Sequence, residues 1–85
     1  MDELMLEGNA AAGALREVFA VEMTTAVGMC ANCGTTGEIA RMHLYRGAGL
    51  TFRCPSCDAV LMKLVSAGPR RWIDLGGLRT LELHD

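Results

Sequence analysis

Two pairs of cysteines carry the clearest chemical signal in this sequence. Each pair has two intervening residues, and 20 residues separate the second cysteine from the third. Thiolates offered two at a time from tight turns are typical ligands of a tetrahedral zinc ion. The sequence therefore predicts one metal site, whose ligands are Cys30, Cys33, Cys54 and Cys57.

Zinc is the expected metal, at one ion per chain, because four thiolates fill its shell and leave no position for water. A closed shell does not activate water, so we predict no catalytic residues and no enzyme activity. His43 and His84 are not needed as ligands, and a thiolate committed to a metal is a poor nucleophile. Iron in the same cage is the alternative, which would make the chain a rubredoxin-like one-electron carrier or a redox-complex accessory.

Length and composition indicate one small domain without a membrane segment. At 85 residues the core is small for its surface, so metal binding is expected to contribute to folding. The N-terminus is acidic, and no apolar run approaches the roughly 20 residues that cross a bilayer. We therefore predict a cytoplasmic protein that does not contact a membrane. In the cytoplasm its cysteines would stay reduced and available for metal binding.

The residues between and after the two Cys-x-x-Cys turns, which we call the knuckles, are predicted to form strands. Apolar and polar residues alternate over 38–46, and Gly47-Ala48-Gly49 forms a loop that would place Leu44 opposite Phe52. Another strand is expected over residues 59–66, followed by a Gly68-Pro69 turn into residues 70–75. The register between these last two strands stays open.

The sequence also predicts a final hairpin around Gly76-Gly77. A two-residue loop there would pair Asp74 with Arg79, Trp72 with Leu81 and Arg71 with Glu82. Together with a β-prone segment that begins near Thr24, this gives five or six short strands in one antiparallel sheet.

A helix is predicted from residue 9 or 10 to residue 22, because Leu15, Phe19 and Met23 recur on one stripe. We expect this stripe to pack on the chain's own sheet, since so small a domain needs its apolar residues for the core. The alternative is a partner-binding helix with Leu15 and Phe19 as anchors. The predicted organisation is an N-terminal helical segment (1–23) and a zinc-ribbon β domain (24–85), forming one compact α+β domain.

The net charge argues against general nucleic-acid binding but does not identify the partner. The net charge is −2, although residues 30–85 hold seven bases against five acids. A nucleic-acid interface could use the basic and aromatic residues Arg41, Arg46, Arg53, Arg70, Arg71, Arg79, Tyr45 and Trp72. They are scattered along the chain, so a protein partner is the preferred hypothesis, nucleic acid is the alternative, and a homo-oligomer stays open.

Residues 24–66 resemble the zinc-ribbon fold group, whose members serve mainly as recognition or assembly modules. The run from Glu7 to Gly13, the segment from Leu15 to Phe19 and Thr24-Thr25-Ala26 are similar to small uncharacterised actinobacterial zinc-ribbon proteins. That resemblance implies the four cysteine ligands and points to no known activity. The first knuckle has Ala31 in place of the common proline, and the second has Asp58 in place of the usual glycine.

Overall fold

Eight strands form two antiparallel sheets in the computed structural model, which describes residues 5–19 and 23–83. The strands are β1 (Met5–Glu7), β2 (Val27–Cys30), β3 (Thr36–Glu38), β4 (His43–Arg46), β5 (Leu50–Arg53), β6 (Val60–Ala67), β7 (Arg70–Asp74) and β8 (Leu78–Glu82). The large sheet has the order β1-β4-β5-β6-β7, and the small sheet has the order β3-β2-β8. The prediction of one sheet with five or six strands was therefore wrong.

The large sheet buries one face and exposes the other. Leu44, Phe52 and Met62 are neighbours across β4, β5 and β6 and are fully buried. On the opposite face, which we call the outer face, Thr51 lies between Tyr45 and Lys63. This alternation is the expected pattern for an antiparallel sheet with one face on the core.

The N-terminal segment contains more than the predicted helix. Residues of β1 pair with β4, a 3₁₀ helix follows over Gly8–Ala11, and the α-helix α1 spans Ala12–Phe19. The start of the 3₁₀ helix packs against the chain at Ile39 and Met42: Gly8 donates its amide to Met42 O (2.7 Å), and a Cβ at Gly8 would strike the Ile39 carbonyl oxygen. Leu15 is fully buried in the core, against which Phe19 packs partly buried. The predicted helix end at residue 22 lies outside the described residues.

The predicted strand over residues 38–46 is interrupted. Ile39–Arg41 form a 3₁₀ helix, and only His43–Arg46 continue as β4. Ile39 N donates to Ala26 O (2.9 Å), and Ala40 N donates to Thr24 O (3.0 Å), which anchors the bend against the chain before β2. This bend carries the chain from the small sheet to the large one, so the apparent alternation across it was misleading.

Two of the hairpins in the large sheet, β4–β5 and β6–β7, follow from the residues of their loops. Leu44 lies opposite Phe52, so the predicted register of the first hairpin is confirmed. In the second, Ala67 pairs with Arg70 across Gly68-Pro69, which settles the open register. Gly68 has φ +61°, as the first central residue of a type II′ turn requires.

The predicted hairpin around Gly76-Gly77 was wrong. Trp72 lies opposite Val65 of β6 rather than Leu81, and β8 leaves the large sheet to pair with β2. Gly77 makes the crossing possible, because a Cβ there would strike the Val60 carbonyl oxygen. The segment between β7 and β8 is therefore a crossover between sheets rather than a hairpin loop.

None of the helices in residues 5–19 and 23–83 has the length and apolar character needed to cross a bilayer.

Candidate metal centre

The first cysteine pair lies in the turn between β2 and β3. Cys30 N donates to Thr35 O (2.9 Å), and Gly34 N donates to Cys30 O (2.9 Å). Gly34 has φ +79°, a left-handed conformation that favours glycine. These bonds fold the turn back so that both sulfurs of the pair face the same side.

The second pair repeats this backbone arrangement between β5 and β6. Cys54 N donates to Ala59 O (2.8 Å), and Asp58 N donates to Cys54 O (2.8 Å). Asp58 has φ +65° and so takes the conformation that Gly34 takes in the first turn. Arg53 Nη1 donates to Asp58 O (2.8 Å) and holds this residue in place. Asp58 therefore fits the knuckle geometry despite replacing the usual glycine.

The four predicted ligands lie together. Their sulfurs are all within 4.8 Å of one another, and Cys30 Sγ is 3.6 Å from Cys57 Sγ while Cys33 Sγ is 3.7 Å from Cys54 Sγ. A zinc ion with Zn–S bonds of about 2.3 Å needs sulfurs about 3.8 Å apart at the corners of its tetrahedron. The spacing therefore fits a metal ion held by all four cysteines.

The cluster lies at the surface with two sulfurs turned inward. Cys30 and Cys54 are buried, Cys57 is half-buried and Cys33 is exposed. Such an ion would be held from the core side by one cysteine of each turn. The other cysteine of each turn would close the shell from the solvent side.

Polar groups of the turns hydrogen-bond to the sulfurs. Asn32 Nδ2 donates to Cys57 Sγ (3.4 Å), which links the first turn to a ligand of the second. The Ser56 amide donates to Cys54 Sγ (3.4 Å), and Cys33 Sγ lies 3.2 Å from Thr35 Oγ1. Bonds of this kind orient metal ligands and favour the thiolate. The sequence reasoning missed Asn32 and Thr35, although their places beside the cysteines were visible.

These surroundings give the thiols different pKa values. The hydrogen bond with the Thr35 side chain lowers the pKa of Cys33 to about 6, and the Asn32 amide lowers the pKa of Cys57. Burial raises the pKa of Cys54 to about 11. Near pH 7 without a metal, Cys33 is therefore mostly thiolate and Cys54 is a thiol. A metal ion would displace the Cys54 proton, since metal binding needs the thiolate.

The centre joins the two sheets. Cys30 ends β2 of the small sheet, and Cys54 follows β5 of the large sheet. Beside it, Ala31 N donates to Gly77 O (3.0 Å) and Gly77 N donates to Leu61 O (3.2 Å). The first turn, the crossover and β6 thus meet next to the sulfurs.

The other residues considered from the sequence lie elsewhere. His43 is a half-buried residue of β4, and His84 lies outside the described residues. Tyr45 and Trp72 share the outer face, but Arg46 and Arg71 line a cavity of about 280 Å³ that Ala14 of α1 also lines. Arg53 pairs with the Asp58 carboxylate (3.7 Å), and Arg41 pairs with Glu38 (3.9 Å). Arg46 and Arg71 therefore lie away from the face that carries Tyr45 and Trp72.

The fold and the site place this chain in the class of small domains that have two antiparallel sheets and a cluster of four cysteines. Within it, the chain belongs to the family of unknown function DUF6510, whose model matches residues 2–85. Searches of the curated proteins and of the solved structures found no match.

Proposed function

We propose that this chain is a non-enzymatic zinc module that binds a protein partner or serves as an accessory or regulatory subunit. In this proposal Cys30, Cys33, Cys54 and Cys57 hold one structural zinc ion. The observation that carries it is the convergence of all four sulfurs within 4.8 Å, with two cross-turn distances close to those of a tetrahedral shell.

A structural role is supported by where the thiols come from. Each turn belongs to a different sheet, so an ion held by both turns would tie the sheets together at the crossover. Four thiolates also leave no coordination position for a substrate or an activated water. Both points favour a metal that stabilises the fold over one that catalyses a reaction.

Zinc is preferred over iron on the chemistry of the shell. Four thiolates suit either metal, but zinc needs no redox partner and forms closed structural sites of this kind. Iron in the same cage would make the chain a one-electron carrier. The two metals differ in colour, which gives a direct test.

The burial of Leu15 argues that a partner would bind outside the apolar stripe of α1, to which Leu15 and Phe19 belong. An anchor residue must be available to its partner, whereas Leu15 is fully buried in the chain's own core. Packing of the helix on the domain is the interpretation that this supports. Nucleic acid is less favoured as the partner, because Arg41 and Arg53 pair with acidic side chains and Arg46 donates to Ala10 O (3.5 Å).

The test is metal analysis of the full-length chain produced without added metal. We expect one zinc per chain and a colourless solution. A red protein with visible thiolate-to-iron bands would replace the structural proposal by electron transfer. Cys54→Ser should lose the metal, while Ser56→Ala in the same turn should keep it, since Ser56 contributes its backbone amide.

A further inference from the structure

The strand β7 leaves one edge of the large sheet open. Among the described residues it pairs with β6 alone, and all five of its residues are exposed. Trp72 is 50% exposed and Ile73 is 44% exposed. Proteins usually shorten, charge or cover an edge of this kind, because its free N–H and C=O groups can pair with another strand.

The hairpin loop decides which backbone groups of β7 face that open edge. In a two-residue hairpin the residues that flank the loop form a hydrogen-bonded pair, here Ala67 and Arg70. Alternation then directs the amide and carbonyl groups of Arg70, Trp72 and Asp74 towards β6. Those of Arg71 and Ile73 are directed to the open edge.

We propose that β7 pairs antiparallel with β7 of a second copy of this chain, about a two-fold axis at Trp72. In this register Arg71 of each copy exchanges backbone hydrogen bonds with Ile73 of the other. Trp72 lies opposite the partner's Trp72, and Arg70 lies opposite the partner's Asp74. Such an interface is isologous, since both copies use the same strand and each contact away from the axis occurs twice.

Charge complementarity is the main argument for a second copy as the occupant. Arg70, Trp72 and Asp74 alternate onto the outer face, so the register sets two Arg–Asp pairs around one aromatic pair. These are non-hydrogen-bonded positions, where cross-strand side chains approach most closely. Within the described residues the Arg70 guanidinium contacts no carboxylate. The Asp74 carboxylate is held by the Gly76 amide (2.8 Å) and can accept a further bond.

As far as the described residues extend, the other sheet edges lack this self-complementarity. Strands β1 and β3 have three residues each. In β8 the opposite charges are Arg79 and Glu82, three residues apart, so their side chains point to opposite faces and cannot lie opposite each other in an antiparallel pair. Arg70 and Asp74 are four residues apart and satisfy this condition.

The association is expected to be weak and to depend on concentration. A five-residue strand buries less area than the interface of a stable dimer. Trp72 is the only tryptophan of the chain, so its fluorescence reports this contact alone. Pairing would move its half-exposed ring into an apolar contact and shift its emission to shorter wavelength.

Sedimentation velocity of the full-length, metal-loaded chain at roughly 5 to 500 μM tests the proposal. We expect a rise from monomer to dimer mass, accompanied by the shift of Trp72 emission. Arg70→Asp and Asp74→Arg should each weaken the dimer on the order of tenfold, because each places like charges opposite one another twice. An equimolar mixture of the two variants should restore it, since the mixed dimer regains two opposite-charge pairs.

A monomer at every concentration would overturn the proposal, as would a dimer that Arg70→Asp leaves unchanged. If Asp74→Arg does not fold, because it places an arginine beside Lys63 and removes the bond to Gly76, the wild-type dilution series and Arg70→Asp decide alone. Circular dichroism of each variant shows whether a loss of dimer reflects a loss of fold.

Discussion

At the scale of single residues, the sulfurs depend on the polar groups beside them. Asn32 crosses from the first turn to donate to Cys57 of the second, and Thr35 lies beside Cys33. Both bonds favour the thiolate form that a metal requires. The ligand positions could be predicted from their spacing. The Asn32 bond could not, because it depends on how the two turns face each other, whereas Thr35 lies two residues from Cys33 in the same turn.

Asn32→Ala should weaken metal binding about tenfold. Removing the amide raises the pKa of Cys57 towards its ordinary value, so protons compete better for that thiolate near pH 7. Competition with a colorimetric zinc chelator measures the affinity. Ser56→Ala is the matched control, since its backbone bond to Cys54 remains. Equal affinities of wild type and Asn32→Ala would show that this bond does not tune the site.

The residues with positive φ in the two cysteine turns, Gly34 and Asp58, should respond in opposite ways to substitution. Gly34→Ala should cost about 1 kcal/mol of unfolding free energy, since a Cβ is disfavoured at φ +79° although no atom lies within 4 Å of it. Asp58→Gly should be neutral or slightly stabilising, because it relieves the same strain and loses only an exposed ion pair. Gly37→Ala is the control, and denaturant unfolding measures all three. A cost for Gly37→Ala equal to that for Gly34→Ala would contradict this account.

At the scale of elements, the residues of the loops predicted the hairpins within the large sheet. They wrongly predicted a hairpin where the chain crosses from one sheet to the other. Gly47-Ala48-Gly49 gave the right register, since Leu44 and Phe52 meet across it. Gly76-Gly77 looked like an equally good loop, with three complementary pairs. In the structure those pairs do not form, because the backbone at Gly77 packs against Val60 and the chain crosses to β2. A glycine needed for close packing and one needed for a turn look alike in sequence.

Gly77→Ala should therefore destabilise the domain by about 2 kcal/mol or more, because its Cβ would strike Val60 O and force β6 and the crossover apart. Gly76→Ala is the matched control, since its Cβ would meet only Asp74 Oδ1 at 3.0 Å. Thermal and denaturant unfolding compare the two variants. Equal stabilities would mean that the crossover does not pack as described.

The bend at Ile39–Arg41 shows that a strand prediction can also miss a point where the chain changes sheets. Apolar and polar residues alternate over 38–46, which suggested one strand through this stretch. Ile39 breaks the pattern, because its amide bonds to Ala26 and its side chain is fully buried. Periodicity reports which side chains are buried, but it cannot report that the chain changes sheets between them.

At the scale of the whole molecule, the two sheets meet at the cysteine cluster and at the crossover beside it. The chain passes from the small sheet to the large one at the bend and returns between β7 and β8. In the proposal the metal ion fixes the sheets to each other, while β7 at the far edge of the large sheet remains open for a second copy. Stability and association would then belong to different parts of the molecule.

The central claim, a closed shell of four thiolates around one zinc ion, is tested most directly by X-ray absorption at the zinc edge of the purified full-length chain. The account predicts four sulfur neighbours at about 2.3 Å and no nitrogen or oxygen neighbour. A shell with fewer sulfurs and a light-atom ligand, or an absorption edge of iron in place of zinc, would contradict it.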